Sequence, residues 1–155
     1  MNQLYELARP FPKRLIHPAP KGKYGDYVSH STVNEALLYD IGPHSFEVIE
    51  LIRGHAEEVK GQNQTYPARD NAVVGCLARL ICIIDGRTVT ITEAGDVEQA
   101  AMNNDGRNAK DASSDAYKRC AMRAGKGLHL WSGSEFFLAE ALRKRDEDDR
   151  ETTDD

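Results

Sequence analysis

The chain has 155 residues, a formal net charge of −5 and 40% hydrophobic residues, of which only a small part is aromatic. That length allows one domain of ordinary size around one core. No apolar run reaches the roughly 18–20 residues that span a bilayer, and the first ten residues lack the apolar stretch of a secretory signal, so no membrane association is expected and the protein is expected in the cytoplasm.

Residues 1–25 carry Pro10, Pro12, Pro18 and Pro20, which forbid a long helix, and they read as a basic, extended arm. Thr32-Val-Asn-Glu35 has capping-box spacing and Gly42 is a natural stop, so a short helix is predicted over about 32–41. Phe46, Val48, Ile49, Leu51 and Ile52 indicate a strand over about 45–53. The polar stretch 54–71 reads as a loop or a frayed hairpin end. Ala72 to Ile84 is the strongest strand signal, Asp85-Gly86 a hairpin turn, and Arg87 to Thr92 alternates as a half-buried strand. Glu93 to Asp105 reads as an acidic connector.

Ala109, Ala112, Ala116 and Cys120 fall on one face of a helix over about 106–124, a face of small residues able to lie close against a sheet. Asp115 precedes Arg119 by four positions, the spacing of a helical ion pair. Gly125 and Gly127 end that helix. Leu128 to Trp131 is predicted as a short strand, and Ser132-Gly-Ser-Glu135 as a capping box opening a helix to about Arg145. The acidic end, 146–155, is expected to be disordered. The expected organisation is an arm (1–25), a domain (26–145) and a tail (146–155). The fold class is α+β: an antiparallel β-β-β-α unit with a preceding short helix and a C-terminal helix. A strand as long as 72–84 exceeds what one small sheet needs and points to pairing between subunits.

The sequence does not favour catalysis. It has no P-loop and no Gly-x-Ser-x-Gly elbow. Cys76, Cys82 and Cys120 are few, odd in number and set among apolar residues, which argues against a disulfide framework. The five histidines show no ligand spacing, so neither a metal nor another cofactor is expected, and no enzyme. The charge distribution is more informative. The last ten residues sum to −6, which leaves residues 1–145 at +1. Segment 9–23 holds Arg9, Lys13, Arg14, Lys21 and Lys23 with no acid. Segment 107–126 holds Arg107, Lys110, Lys118, Arg119, Arg123 and Lys126 against Asp111 and Asp115. Lys and Arg on a rigid helix suit backbone phosphates, whose contacts carry no sequence specificity. The candidate DNA-binding residues are thus Lys118, Arg119, Arg123, Lys110, Arg107 and Lys126, with Lys21 and Lys23 from the arm. Tyr117 suits either base stacking or core packing.

The stretch Ala109-Lys-Asp-Ala-Ser-Ser-Asp-Ala-Tyr-Lys-Arg-Cys-Ala-Met-Arg-Ala-Gly125 resembles the signature of the Rad-fifty-two family of single-strand annealing proteins, with Lys110, Ala112, Asp115, Ala116, Lys118, Arg119 and Gly125 in register. Val74 to Gly86 is similar to the family's central hairpin, Gly95-Asp-Val97 to the segment after the next strand, and Tyr27 to Phe46 to its first helix and exit. The resemblance covers roughly residues 24–131. It implies a β-β-β-α unit with an N-terminal helix, subunits joined through the sheet into rings, and single-stranded DNA held in a basic groove with its bases free to pair. It also implies no nucleotide cofactor, an origin in a phage with action in the host cytoplasm, and a single-strand-binding protein or recombinase as partner. By position, Lys118 and Arg119 become the main phosphate contacts. Three positions depart from the pattern: Met122 stands where a third basic residue is usual, with Arg123 one place later; Ala124 replaces a Phe; Thr32 replaces a basic residue. Gly42-Pro-His-Ser-Phe46 is also similar to the start of a double-stranded RNA-binding domain, an α-β-β-β-α monomer, which is the alternative function.

Overall fold

The structure is a computed structural model and describes residues 2–20 and 25–153. In chain order the elements are α1 (Gln3–Ala8), a 3-10 turn (Lys13–Leu15), β1 (His17–Pro18), β2 (Asp26–Tyr27), α2 (His30–Ile41), β3 (Ser45–Ala56), β4 (Val59–Lys60), β5 (Thr65–Tyr66), β6 (Arg69–Ile84) and β7 (Arg87–Asp96). A second 3-10 turn (Ala100–Met102), α3 (Asp105–Arg123), α4 (Leu128–Ser132), a third 3-10 turn (Gly133–Glu135) and α5 (Leu138–Glu151) follow. The class is α+β with antiparallel sheets and a C-terminal helix. The chain divides into two units, one of Met1–Pro43, Ile83–Arg87 and Ala121–Asp155, the other of His44–Cys82 and Thr88–Cys120.

In the second unit the main sheet has the order β3-β6-β7, with β3 antiparallel to β6 and Phe46 opposite Leu80 and Val48 opposite Ala78. The register shifts at Ile49, between Val48 and Glu50, a bulge that adds one residue to β3. Alternate residues of β6, Cys76, Ala78, Leu80 and Cys82, are buried. Ala112 and Ala116 of α3 complete a cluster with Cys76 and Ala78, and Phe46 and Val97 pack on it. Small side chains bring helix and sheet close, and Gly95 carries this to its limit. A Cβ built on Gly95 would lie 2.1 Å from the Ala112 carbonyl oxygen and 2.6 Å from the Ala116 nitrogen. The strand backbone therefore rests on the helix backbone at this point. β4 and β5 form a small hairpin, Val59 opposite Tyr66, inside the stretch 54–71.

Two expectations about this unit change. The strand before the turn starts at Arg69 and the strand after it runs to Asp96, so the connector is shorter than residues 93–105. The long strand β6 is the central one, paired on both sides. Among the described residues the edge strands of this sheet are β3 and β7.

In the first unit Pro10 follows a six-residue helix, so the segment expected to be extended contains α1, capped by Asn2, whose side chain accepts from the Leu4 and Tyr5 amides. His17 and Pro18 then pair with Tyr27 and Asp26. Helix α2 starts two residues before the expected position because Ser29, not Thr32, is the cap; its hydroxyl accepts from the Thr32 amide. Val33 and Leu37 are its buried residues. The Asp85-Gly86 turn, with φ of 49° and 75°, is gripped by α1: the Gln3 amide donates to Asp85 Oδ1 and the Asp85 amide to Gln3 Oε1, each at 2.7 Å.

Leu128 to Trp131 belongs to helix α4 rather than a strand, since five residues are too few for a two-residue alternation to exclude a helical turn. Gly133, at φ 56°, separates α4 from α5, so the box at 132–135 does not open the next helix. Helix α5 continues through the acidic segment to Glu151, supported by Arg143, which pairs with Glu140 and Glu147 one turn on either side.

Candidate nucleic-acid interface

Helix α3 begins at an anchored carboxylate. Asp105 Oδ1 accepts from the Val73 amide at 3.1 Å, and its carboxylate pairs with Arg53 at 2.9 Å and Arg69 at 3.1 Å. The Val73 hydrogen bond first, and then the Arg53 guanidinium, hold this carboxyl below the usual range. One side of the helix is closed by Ala112, Ala116 and Cys120.

The helical period of about 100° per residue then places Arg107, Lys110, Ser114 and Lys118 within an arc of roughly 80°, spread over about 16 Å of axis. Arg107 and Lys110 are exposed and Lys118 is partly so. Arg107 pairs with Asp111 at 3.2 Å, one turn on. The arc lies away from the buried small-residue stripe and forms a cationic ridge on a rigid element.

Arg119 is turned about 100° from Lys118. Its Nε donates to Asp115 Oδ2 at 2.9 Å, as the spacing predicted, and its side chain is 35% exposed. The same Oδ2 accepts from the Asp96 amide at 3.1 Å. The hydrogen bond that Arg119 donates to Asp115 raises the Arg119 pKa, and the charges of Asp115, Asp96 and Glu93 add to it. Asp96 was not visible as a site residue, because only the β7–α3 packing brings it to Arg119. A cleft of about 380 Å³ is lined by Arg119, Glu93, Asp96, Gly75 and Ile52.

The remaining candidates diverge. Arg123 is exposed on the last turn of α3, in the other unit. Lys126 is not a surface group. It and Asp40 are each 7% exposed and pair at 2.6 Å, although the ammonium lies off the direction of a good hydrogen bond to that oxygen. The Lys126 ammonium also donates to the Glu6 carbonyl at 3.1 Å and stands 5.4 Å from the centre of the Phe11 ring. A buried cation committed to a buried carboxylate does not reach a phosphate, so Lys126 is removed from the candidates. Lys21 and Lys23 lie outside the described residues.

Tyr117 is buried, with its hydroxyl 2.7 Å from His44 Nε2 and its ring edge-on to Phe46 at 5.0 Å. Burial pushes its pKa up to about 12. It is a core residue and not a stacking platform. Cys120 is likewise buried, its thiol donating to the Ile91 carbonyl at 3.7 Å.

Edge strand β3 shows a second surface. Val48, Ile49, Leu51 and Ile52 are each 40–42% exposed on a strand of 12 residues with one unpaired side. Among the described residues no group of His, Cys, Asp and Glu is placed to hold a metal ion, and no helix is long and apolar enough to cross a membrane. No protein-family model matches the chain, and no curated protein does either.

Proposed function

We propose that the chain binds single-stranded DNA along α3 and anneals complementary strands in recombination and repair, as a ring-forming homo-oligomer and without ATP. The observation that carries the reading is the ridge of Arg107, Lys110 and Lys118 on a helix whose opposite side is packed against the sheet. These groups meet phosphates and leave the bases uncovered, which is what annealing requires. Three contacts hold one strand weakly, so useful affinity comes from repetition around an oligomer. The exposed apolar β3 edge supplies a surface for that assembly. A single-strand-binding protein or a recombinase, in the host cytoplasm of a phage, completes the proposal.

The test combines light scattering with fluorescence anisotropy on a labelled single-stranded oligonucleotide. The expected result is a multimer whose affinity falls steeply with salt. Each of Arg107→Ala, Lys110→Ala and Lys118→Ala should lower affinity and make the logarithmic salt slope shallower by about 0.7. The order α2, β3, β6, β7, α3 also matches the double-stranded RNA-binding alternative. A monomer that prefers duplex RNA would replace the annealing reading with that one.

A further inference from the structure

A cleft of about 480 Å³ in the first unit runs between α2 and residues 9–15. Thr32, Ala36, Tyr39 and Asp40 fall at i, i+4, i+7 and i+8 of α2 and form one wall. Pro10, Phe11 and Leu15 give the other wall an apolar surface. Four of the six charged groups around the cleft are committed to each other: Arg9 to Glu6 at 2.9 Å and Lys126 to Asp40 at 2.6 Å. The other two, Arg14 and Glu35, are exposed and have no ion-pair partner among the described residues. Tyr39 is 88% exposed on the same rim. The buried end of the cleft is Asp40, whose Oδ2 has no aligned hydrogen-bond donor because the Lys126 ammonium lies off the bonding direction. A buried acceptor with an unspent lone pair is costly, and a ligand that brings a donor relieves that cost.

We propose that this cleft binds a free aromatic amino acid with a hydrogen-bond donor at its tip, tyrosine: its carboxylate on Arg14, its ammonium on Glu35, its ring between Phe11 and the α2 wall, and its hydroxyl donating to Asp40. One uncommitted cation and one uncommitted anion match a zwitterion, whereas a phosphate ester would meet Arg14 but be opposed by Glu35. The apolar walls suit a ring, and the unfilled acceptor at the buried end selects a ring that carries a donor. Glu35 and Asp40 are five residues apart, about 7.5 Å along the helix axis, a span that an extended tyrosine matches between its ammonium and its hydroxyl. The site goes beyond the DNA reading and does not rest on it, since none of Arg107, Lys110 and Lys118 lines the cleft.

The experiment is isothermal titration calorimetry of the full chain with L-tyrosine. Saturable binding is expected, and L-phenylalanine should bind about tenfold more weakly because it leaves Asp40 without its donor. Arg14→Ala and Glu35→Gln, both at exposed positions, should leave thermal unfolding unchanged and weaken tyrosine by up to about fivefold each, the size of an exposed charge contact. Tyramine, which lacks the carboxylate, should be indifferent to Arg14→Ala, and the des-amino analogue of tyrosine should be indifferent to Glu35→Gln. These cycles separate a direct contact from a general loss of structure. No heat with tyrosine up to its solubility limit overturns the proposal, and so does phenylalanine binding as tightly as tyrosine. Tyramine as sensitive to Arg14→Ala as tyrosine overturns the assigned contacts. A nucleoside monophosphate that binds more tightly than tyrosine and is lost in Arg14→Ala makes the cleft an anion site and also overturns the proposal.

Discussion

Single atoms decide several features here, and Gly95 is the sharpest case. Its missing Cβ is the space occupied by the Ala112 carbonyl, which is backbone and cannot swing aside. Gly95→Ala must push α3 off the sheet and should cost about 3 kcal/mol, read as a lower urea midpoint. In the sequence the alanines of α3 signal a close approach, but nothing marks which strand residue receives them. Lys126 shows the converse. By sequence it is one more cation after a basic helix. Asp40, 86 positions earlier, is what buries it. Lys126→Ala leaves a buried carboxylate uncompensated and should lose about 3–5 kcal/mol of stability. Its effect on DNA binding should track the unfolded fraction, and binding by the folded protein should keep its salt slope. Asp105 gives a pH prediction. Its folded pKa lies below its ordinary 3.8, so its contribution is fully present above that value and is lost as the pH falls through the lowered one. Asp105→Asn should destabilise the protein at neutral pH and lose less on acidification than the wild type, as measured by paired urea titrations.

Among the elements, those defined by local pattern were legible and those defined by distant partners were not. Helix α3, the turn at Asp85-Gly86 and the cores of β3, β6 and β7 follow from period and turn chemistry alone. The strand ends did not, because pairing extends β6 back to Arg69 and β7 on to Asp96. Helix α1 was hidden by the prolines that follow it, yet Pro10 only sets where it stops. The acidic segment reads as disordered by composition, but Arg143 between Glu140 and Glu147 continues α5 through it. For the site, the period gave the residues of the basic ridge. Charge alone groups Lys118 with Arg119, while the helical period sets them about 100° apart and leaves only Lys118 on that ridge. The ridge residues should therefore set affinity, with Arg119→Ala the weaker substitution, as measured by anisotropy.

At the scale of the molecule the two units are unequally continuous. The second is one stretch, His44 to Cys120, interrupted only by the five residues around the hairpin turn. The first is assembled from the two ends of the chain and that turn. The exposed β3 edge belongs to the second unit, and so does the ridge of α3. Lys added at Ile49 and Leu51 should therefore reduce particle mass in light scattering at unchanged circular dichroism, and weaken binding only through the loss of repetition.

The grip of Gln3 on Asp85 has a consequence for the order of folding. These residues are 82 positions apart, so α1 cannot complete its docking until the β6–β7 hairpin has closed. A chain emerging from the ribosome has the sheet and most of α3 complete by Cys120, while the nesting segment Ala121–Asp155 that finishes the first unit is still unmade. Synthesis direction thus gives the sheet and its helix time to form first, and the amino-terminal end, made earliest, is among the last parts to settle.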